Sequence, residues 1–190
     1  MSPRGGPNRY CGGRGVIVRP ANPADLDRCE RLDGNYTTGH IWQVHTAVGQ
    51  ERINTTLRRV RTPRVIEVSY PGPPRDLYAD WRRNECLLVA SERATVFGYL
   101  DLTVDRSDWQ GWLLHLIVDR AVRRQGIGSM LLAAGTEWAR GSELDTLSVA
   151  LQCRNDPAVQ MLLKQGFRYR GSLDRYFDNG DAALIYTLYS

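Results

Sequence analysis

The sequence predicts an α/β protein: a single domain built on an α+β mixed sheet with helices on both faces. Three observations predict it. Strand-like and helix-like segments follow in the order strand, helix, a run of strands, then helix, strand, helix, strand, strand. A long apolar stripe, Ile127, Met130, Leu131, Ala134 and Trp138, recurs at helical spacing and suits packing on a sheet. A glycine-rich turn joins that stripe to a β-branched strand ending at Val118.

The elements read in order as follows. Val16-Ile-Val-Arg-Pro is a short strand stopped by proline, and Asn22 then caps a helix with Pro23 at its first position. Leu26, Cys29 and Leu32 give that helix its apolar face before Gly34. Asn35 to His40 is polar and rich in turn formers, so a loop is expected there. Ile41–Val48 and Thr62–Tyr70 have strand composition, and Pro71-Gly-Pro-Pro is a hard break. Between the two strands, 52–64 is dense in arginine with apolar residues interleaved, which suits an element with one solvated face.

Asp76–Arg83 carries one or two helical turns. Cys86–Ala90 and Thr95–Val104 are strands of a hairpin, and Gly98 inside the second marks a bulge or a close approach. Trp109–Val118 is a further strand, and a helix begins near Gly126. Leu147–Cys153 is a strand, Asp156–Lys164 a helix, and Gly166–Phe177 and Ala182–Tyr189 are closing strands. Residues 1–14, with almost nothing to bury, are expected to form a disordered lead-in to a domain over 15–190.

Composition narrows the function classes. A hydrophobic fraction of 42% and a charged fraction of 24% are those of an ordinary globular protein. No apolar run approaches the roughly 20 residues of a membrane helix, and the first residues lack a secretory apolar core. No membrane role is therefore expected. The four cysteines show no CxxC pair and no metal-ligand spacing, so a reduced, cytoplasmic protein without a metal is expected. The net charge of +4 suits an anionic cofactor, and no recognised module accompanies it to support nucleic-acid binding.

Chemistry concentrates in Leu116-Ile-Val-Asp-Arg-Ala-Val-Arg-Arg-Gln-Gly-Ile-Gly-Ser. A strand ends, a short turn follows, and a helix starts with glycine at Gly126 and Gly128. Such a turn presents successive backbone N–H groups, and the helix N-terminus adds partial positive charge. Arg123 and Arg124 add more. The pattern suits a diphosphate. It lacks the GK[ST] ending of a Walker loop and the first glycine of the dinucleotide fingerprint.

Arg123-x-x-Gly126-x-Gly128 resembles the Arg/Gln-x-x-Gly-x-Gly/Ala signature of the GCN5-related N-acetyltransferases (GNAT). Asn155, Ala158, Gly166 and Phe167 resemble that family's second block, in register and about 30 residues downstream. The resemblance is tight over 112–190 and loose over 15–111. It implies the GNAT-like acyl-CoA N-acyltransferase fold with a splayed sheet, acetyl-CoA as cosubstrate and an amine acceptor as partner. A homodimer is an admissible state. By the same resemblance Leu116, Ile117 and Val118 flank the pantetheine arm, and Asn155 contacts it. The amides from Arg123 or Arg124 through Gln125, Gly126, Ile127, Gly128 and Ser129 hold the pyrophosphate. A strand-end N–H, that of Val118, faces the developing oxyanion.

The family's usual acid tyrosine falls at Leu162, and its upstream glutamate at Ala150, so neither group is present. Tyr169 and Tyr176 are substitutes for the acid, or the thiolate leaves unassisted. For the base, His115 is the histidine nearest the cofactor strand, and imidazole's ordinary pKa of about 6.5 suits the task. Alternation turns His115 to the far side of the sheet, as a core histidine, unless a bulge shifts the register. Asp101, Asp119 and Glu67 are weaker candidates acting through water. Tyr36, His40 and Trp42 fall where the family places its acceptor-binding loop. Gln152 and the ending from Gly171 to Ala183 resemble the streptothricin acetyltransferase branch without fixing an acceptor. Two readings follow: an N-acetyltransferase for a small amine, an antibiotic, or a protein N-terminus or lysine, and a non-catalytic acyl-CoA sensor.

Overall fold

The computed structural model describes residues 15–71, 76–83 and 85–190. The lead-in expected at 1–14, and most of the break expected at 71–74, lie outside the described residues. Among the described residues the elements follow in the order β1 (Ile17–Pro20), α1 (Pro23–Glu30), β2 (Tyr36–Val48), β3 (Ile53–Val68), α2 (Leu77–Arg83), β4 (Cys86–Glu92), β5 (Thr95–Asp105), β6 (Gln110–Val118), α3 (Ile127–Gly141), β7 (Thr146–Gln152), α4 (Asp156–Lys164), β8 (Arg168–Leu173) and β9 (Ala183–Tyr189). A mixed sheet of seven strands runs β1-β4-β5-β6-β7-β9-β8, and β2–β3 form a separate ribbon. No helix among the described residues is long and apolar enough to cross a membrane.

Contacts divide the chain into two compact units. In the first, β1, β4, β5, β6 and the start of β7 form the sheet, with α1, α2 and α3 packed on it. α1 starts as its sequence dictates. Asn22 Oδ1 accepts from the Ala24 N–H at 3.0 Å, and Asp25 Oδ2 accepts from the Asn22 N–H at 2.8 Å. This reciprocal cap satisfies two helix-end donors. α3 lies on the face of β5 that carries Leu100, so closely that a Cβ at Gly135 would stand 2.9 Å from Leu100 Cδ1. A glycine inside a helix costs about 0.5–1 kcal/mol, and here the close approach accounts for it. Tyr99 and Asp101, on the other face of β5, are fully buried.

β5 carries the irregularity that Gly98 announces. The β4–β5 register shifts between Ala90 and Ser91, and a Cβ at Gly98 would meet the Ile117 carbonyl oxygen at 2.7 Å. Both the bulge and the close approach are present.

The second unit holds the ribbon, α4, β8 and most of β9. Its core is Val68, Val159, Leu162, Phe167, Leu184 and Tyr186. The segment expected as a loop over 35–40 is instead the start of β2: Tyr36, Thr37 and Thr38 pair with Val68, Glu67 and Ile66. Backbone pairing overrides the turn-rich local composition there. The arginine-rich stretch becomes β3, whose arginines are solvated except where Asp156 meets Arg59. Asn179 and Gly180 turn the chain between β8 and β9, with Gly180 at φ +79° and Asn179 Oδ1 accepting from the Asp181 N–H at 3.0 Å.

Candidate active site

Within the first unit, β6 pairs with β7 in parallel from Gln110↔Thr146 to Leu113↔Val149, where the ladder stops. On its other edge β6 pairs with β5, and between Leu113 and His115 the register slips by one residue. Leu114 is the bulged residue. Leu116, Ile117 and Val118 continue beyond the β7 ladder, paired with Leu100, Tyr99 and Gly98.

A 3₁₀ turn, Arg120–Val122, carries the chain from Val118 toward α3. Asp119 caps this turn, accepting from the Ala121 N–H at 3.0 Å, and pairs with Arg28 of α1. Arg120 pairs with Asp33 at 3.4 Å. α1 and its exit thus brace the turn.

The backbone then enters the left-handed region twice, at Arg124 (φ +66°) and Gly126 (φ +90°). Gly126 is the N-cap of α3 and no side chain caps that end. Among the described residues no acceptor meets the N–H groups from Arg124 to Ser129. A Cβ at Gly126 would have nothing within 4 Å, so the space in front of these amides is open. Six consecutive unsatisfied amides at a helix N-terminus form a positively polarised cradle. Arg124 and Gln125 are exposed beside it. The residues present fit the diphosphate of an acyl-CoA.

Arg123 is arranged differently from its neighbours. Its Nε donates to the Val118 carbonyl oxygen at 2.8 Å and its Nη2 donates to the Asp33 carbonyl oxygen. Its backbone N–H leans on the Arg120 carbonyl at 3.5 Å. Burial pulls its pKa below the ordinary arginine value. The guanidinium therefore ties the strand end to the turn. Arg123→Ala is expected to lower stability by about 1–3 kcal/mol, the range for losing hydrogen bonds to a charged group. Arg124→Ala, removing an exposed side chain, should leave the unfolding midpoint alone and weaken CoA binding. Urea unfolding and CoA titration of the two variants check this separation.

His115 lies on β6 opposite Asp101 and is 2% exposed, its ring 6.3 Å from that of Tyr99. The bulge at Leu114 shifts the alternation: His115 shares a face with Asp101, as Ile117 does with Tyr99, while Leu113 lies with Leu102 on the opposite face, and His115 is buried all the same. Asp101 is also 2% exposed, and its Oδ2 has no hydrogen-bond partner among the described residues. Burial pushes its pKa up to about 8, with the negative charge of Asp80 adding to the shift and Arg83 opposing it. Asp119 is held by Arg28, and Glu67 is exposed on β3.

In the second unit, Asn155 is the N-cap of α4, its Oδ1 accepting from the Ala158 N–H at 3.2 Å. Asp156, next to it, gathers the ribbon. Trp42 Nε1 donates to its Oδ1 at 3.1 Å, and Arg59 donates to both oxygens at 2.7 and 2.8 Å. Burial alone would raise its pKa, but hydrogen bonds from Arg59, Gln160 and Trp42 outweigh it and hold the carboxyl below its ordinary range. A second network is buried at the end of β7. Tyr36 Oη donates to Gln152 Oε1 at 2.8 Å, and Gln152 Nε2 donates to Asp181 Oδ2 at 3.1 Å. Arg154 pairs with the other Asp181 oxygen at 3.0 Å.

Leu162, at the family's acid position, is 1% exposed and packs in the core. Tyr169 and Tyr176 are exposed, with Tyr169 edge-on to Tyr186 and Tyr176 edge-on to Phe177. Among the described residues no group of three or more His, Cys, Asp and Glu side chains could hold a metal ion. The braces on the turn, Arg28 and Asp33, carry no motif that sequence reasoning could use. Sequence reasoning singles out Tyr36, Trp42 and Gln152 but not their partners: Trp42 meets Asp156 and Tyr36 meets Gln152 across more than a hundred positions, which no local pattern joins.

Comparison with known proteins identifies the family and the fold. The sequence pattern of the acetyltransferase (GNAT) family matches residues 54–167, more than half of the chain. No curated protein matches. The fold is shared with the crystal structure of nourseothricin acetyltransferase, with a TM-score of 0.77 and 23% identity over 92% of this chain and 98% of that one. It is also shared with the assigned streptothricin acetyltransferase of Bacillus anthracis str. Ames in complex with acetyl coenzyme A. That comparison gives a TM-score of 0.70 and 20% identity over 92% and 99% of the two chains. The ribosomal-protein-S18-alanine N-acetyltransferase of Escherichia coli follows, with a TM-score of 0.65 and 14% identity over 92% and 93%. Because the family's sequence pattern covers more than half of the chain, the chain belongs to the acetyltransferase (GNAT) family.

Proposed function

We propose that this chain is an N-acetyltransferase that passes an acetyl group from acetyl-CoA to a primary amine by direct attack in a ternary complex. Residues 15–190 act as one catalytic domain, in the cytoplasm, without a metal. The observation that carries the reading is the open row of amides from Arg124 to Ser129, built into a turn that α1 braces.

Each residue then has a task. The amides of Arg124, Gln125, Gly126, Ile127, Gly128 and Ser129 donate to the pyrophosphate, with the Arg124 charge beside them and Arg123 holding the turn in shape. Leu116, Ile117 and Val118 offer strand edge to the pantetheine arm. Asn155, whose Oδ1 is occupied by its cap, donates to that arm from Nδ2. The Val118 N–H faces the charge that develops on the acyl oxygen, and such a donor contributes on the order of 3 kcal/mol to acyl transfer. Holding thioester and amine together supplies much of the remaining rate. The acceptor must lose a proton, since an alkylammonium with a pKa of roughly 10.4 is no nucleophile.

His115 is the candidate for that proton. His115→Gln is expected to remove the acidic limb of the kcat/KM profile and to lower kcat by about 10²-fold, with KM for acetyl-CoA unchanged. An unmoved pH profile assigns His115 to the core alone. For the departing thiolate, Leu162 offers no proton, and the thiol leaves unassisted or with help from Tyr169 or Tyr176.

The reading is tested by calorimetric titration of CoA together with thiol release across an amine panel. The first acceptor to try is a streptothricin-type amine, because two of the structures sharing the fold carry antibiotic acetyltransferase names. A protein N-terminus and a lysine peptide complete the panel. Tight CoA binding without thiol release from any amine would favour an acyl-CoA sensor, a reading supported by the absence of a donor at Leu162 and Ala150.

A further inference from the structure

The β2–β3 ribbon is interrupted once. Thr38 pairs with Ile66 and His40 with Arg61, so the single residue Gly39 stands opposite four residues of β3. The extra length opens a cavity of about 310 Å³, lined by Gly39 and His40 from β2 and by residues 61–65 from β3. That volume is at the lower end of small-ligand sites, which run from about 300 to 1,000 Å³. Local hydrogen bonds set its walls. Thr38 Oγ1 donates to the His40 carbonyl at 2.7 Å, and Thr62 Oγ1 donates to the Arg64 carbonyl at 2.7 Å.

The charge on these walls is one-sided. Arg59 and Arg61 lie on one face of the ribbon, and Arg59 is neutralised by its two bonds to Asp156. Arg61 and Arg64 have no acidic partner among the described residues, yet both line the cavity. The His40 ring joins them, its Nδ1 4.0 Å from Asp156 Oδ2. A merely solvated basic face would spread its arginines apart. Here two guanidiniums share one concavity whose lining holds no carboxylate, and a bound anion would relieve their mutual repulsion, while the His40 ring beside them faces Asp156. Guanidinium forks match oxyanions in geometry as well as charge.

We propose that this cavity binds the oxyanion group, phosphate or carboxylate, of a small ligand, held by Arg61 and Arg64. The anionic group belongs either to the amine acceptor itself or to a separate ligand.

The test uses the full chain at low salt with inorganic phosphate and, separately, acetate as probes. Titration is followed by the NMR signals of the Gly39 amide and the His40 imidazole, which resolve this cavity from the CoA loop. Saturable shifts are expected, with a dissociation constant below about 10 mM for phosphate. Arg61→Gln combined with Arg64→Gln should weaken binding at least tenfold. Arg58→Gln, on the opposite face of the ribbon, should leave it unchanged; all three positions are exposed, so the variants should fold. Shifts that grow linearly without saturation overturn the site, as does an equal loss in Arg58→Gln, which would mean a diffuse basic surface. Once binding is seen, competition between phosphate and the amine in turnover assigns the anionic group to the acceptor, and its absence assigns it to a separate ligand. The binding readout needs neither CoA nor turnover, so it stands or falls apart from acetyl transfer.

Discussion

Gly126→Val is expected to lower CoA affinity about 100-fold, close to 2.7 kcal/mol, while the protein still folds. The residue sits at φ +90°, a conformation that a β-branched side chain adopts only with strain of about 1–3 kcal/mol. The chain can relieve that strain by rotating the turn, which misaligns the amides from Arg124 to Ser129. If it does not rotate, the branched Cβ stands in the space that the structure leaves open before them. Both outcomes remove the cradle. The apolar face of α3, with Ile127 and Leu131 buried, is untouched, so unfolding should stay cooperative. Gly126→Ala should fall between the two, bearing the strain with less bulk. Calorimetric titration of CoA against the three proteins, with thermal melts alongside, checks the order. A soluble, cooperatively melting valine variant with normal affinity would show that these amides do not bind the cofactor.

The parts of this protein that were legible from sequence are those set by local rules. α3 and α4 follow from apolar spacing, the cap of α1 from Asn22-Pro23, and the turn that opens α3 from Gly126 and Gly128 after a strand. What escaped is long-range. The pairing of Tyr36–Thr38 with Ile66–Val68 turned an expected loop into strand, because a ladder satisfies backbone groups whatever the local propensity. The guanidinium of the signature arginine reaches the Val118 and Asp33 carbonyls, and no spacing rule predicts where a long flexible side chain finds its acceptors. The same holds for Asp156, whose partners Trp42 and Arg59 come from the other end of the sequence.

Asp101 offers the largest effect on stability, and its sign can be worked out. Its folded pKa of about 8 lies above the ordinary carboxylate value of 3.8, chiefly through burial. Between those values the folded chain holds a proton that the unfolded chain has lost. Stability is therefore full below about pH 4, falls as pH rises, and the loss is complete above about pH 8. Around the carboxyl stand His115 and Tyr99 from the sheet, Cys86 from β4, Glu85 beside it, and Asp80 and Arg83 from α2. A shift of about four units at 1.36 kcal/mol each sets an upper bound near 5–6 kcal/mol. Water entry and relaxation on ionisation reduce this, so about 2–4 kcal/mol is expected. Asp101→Asn keeps the shape and cannot ionise. It should nearly match the wild type at pH 4, where Asp101 is protonated in the folded chain and about half-protonated in the unfolded one, and exceed it by that amount at pH 9. Urea unfolding at pH 4, 7 and 9 reads the difference directly. An asparagine variant that is less stable than the wild type at pH 9 would mean that the ionised carboxylate is held by partners the buried pocket does not display. Should the variant be stabilised yet lose turnover at pH 7, Asp101 would also have a role in moving the acceptor's proton, through His115 on the neighbouring strand.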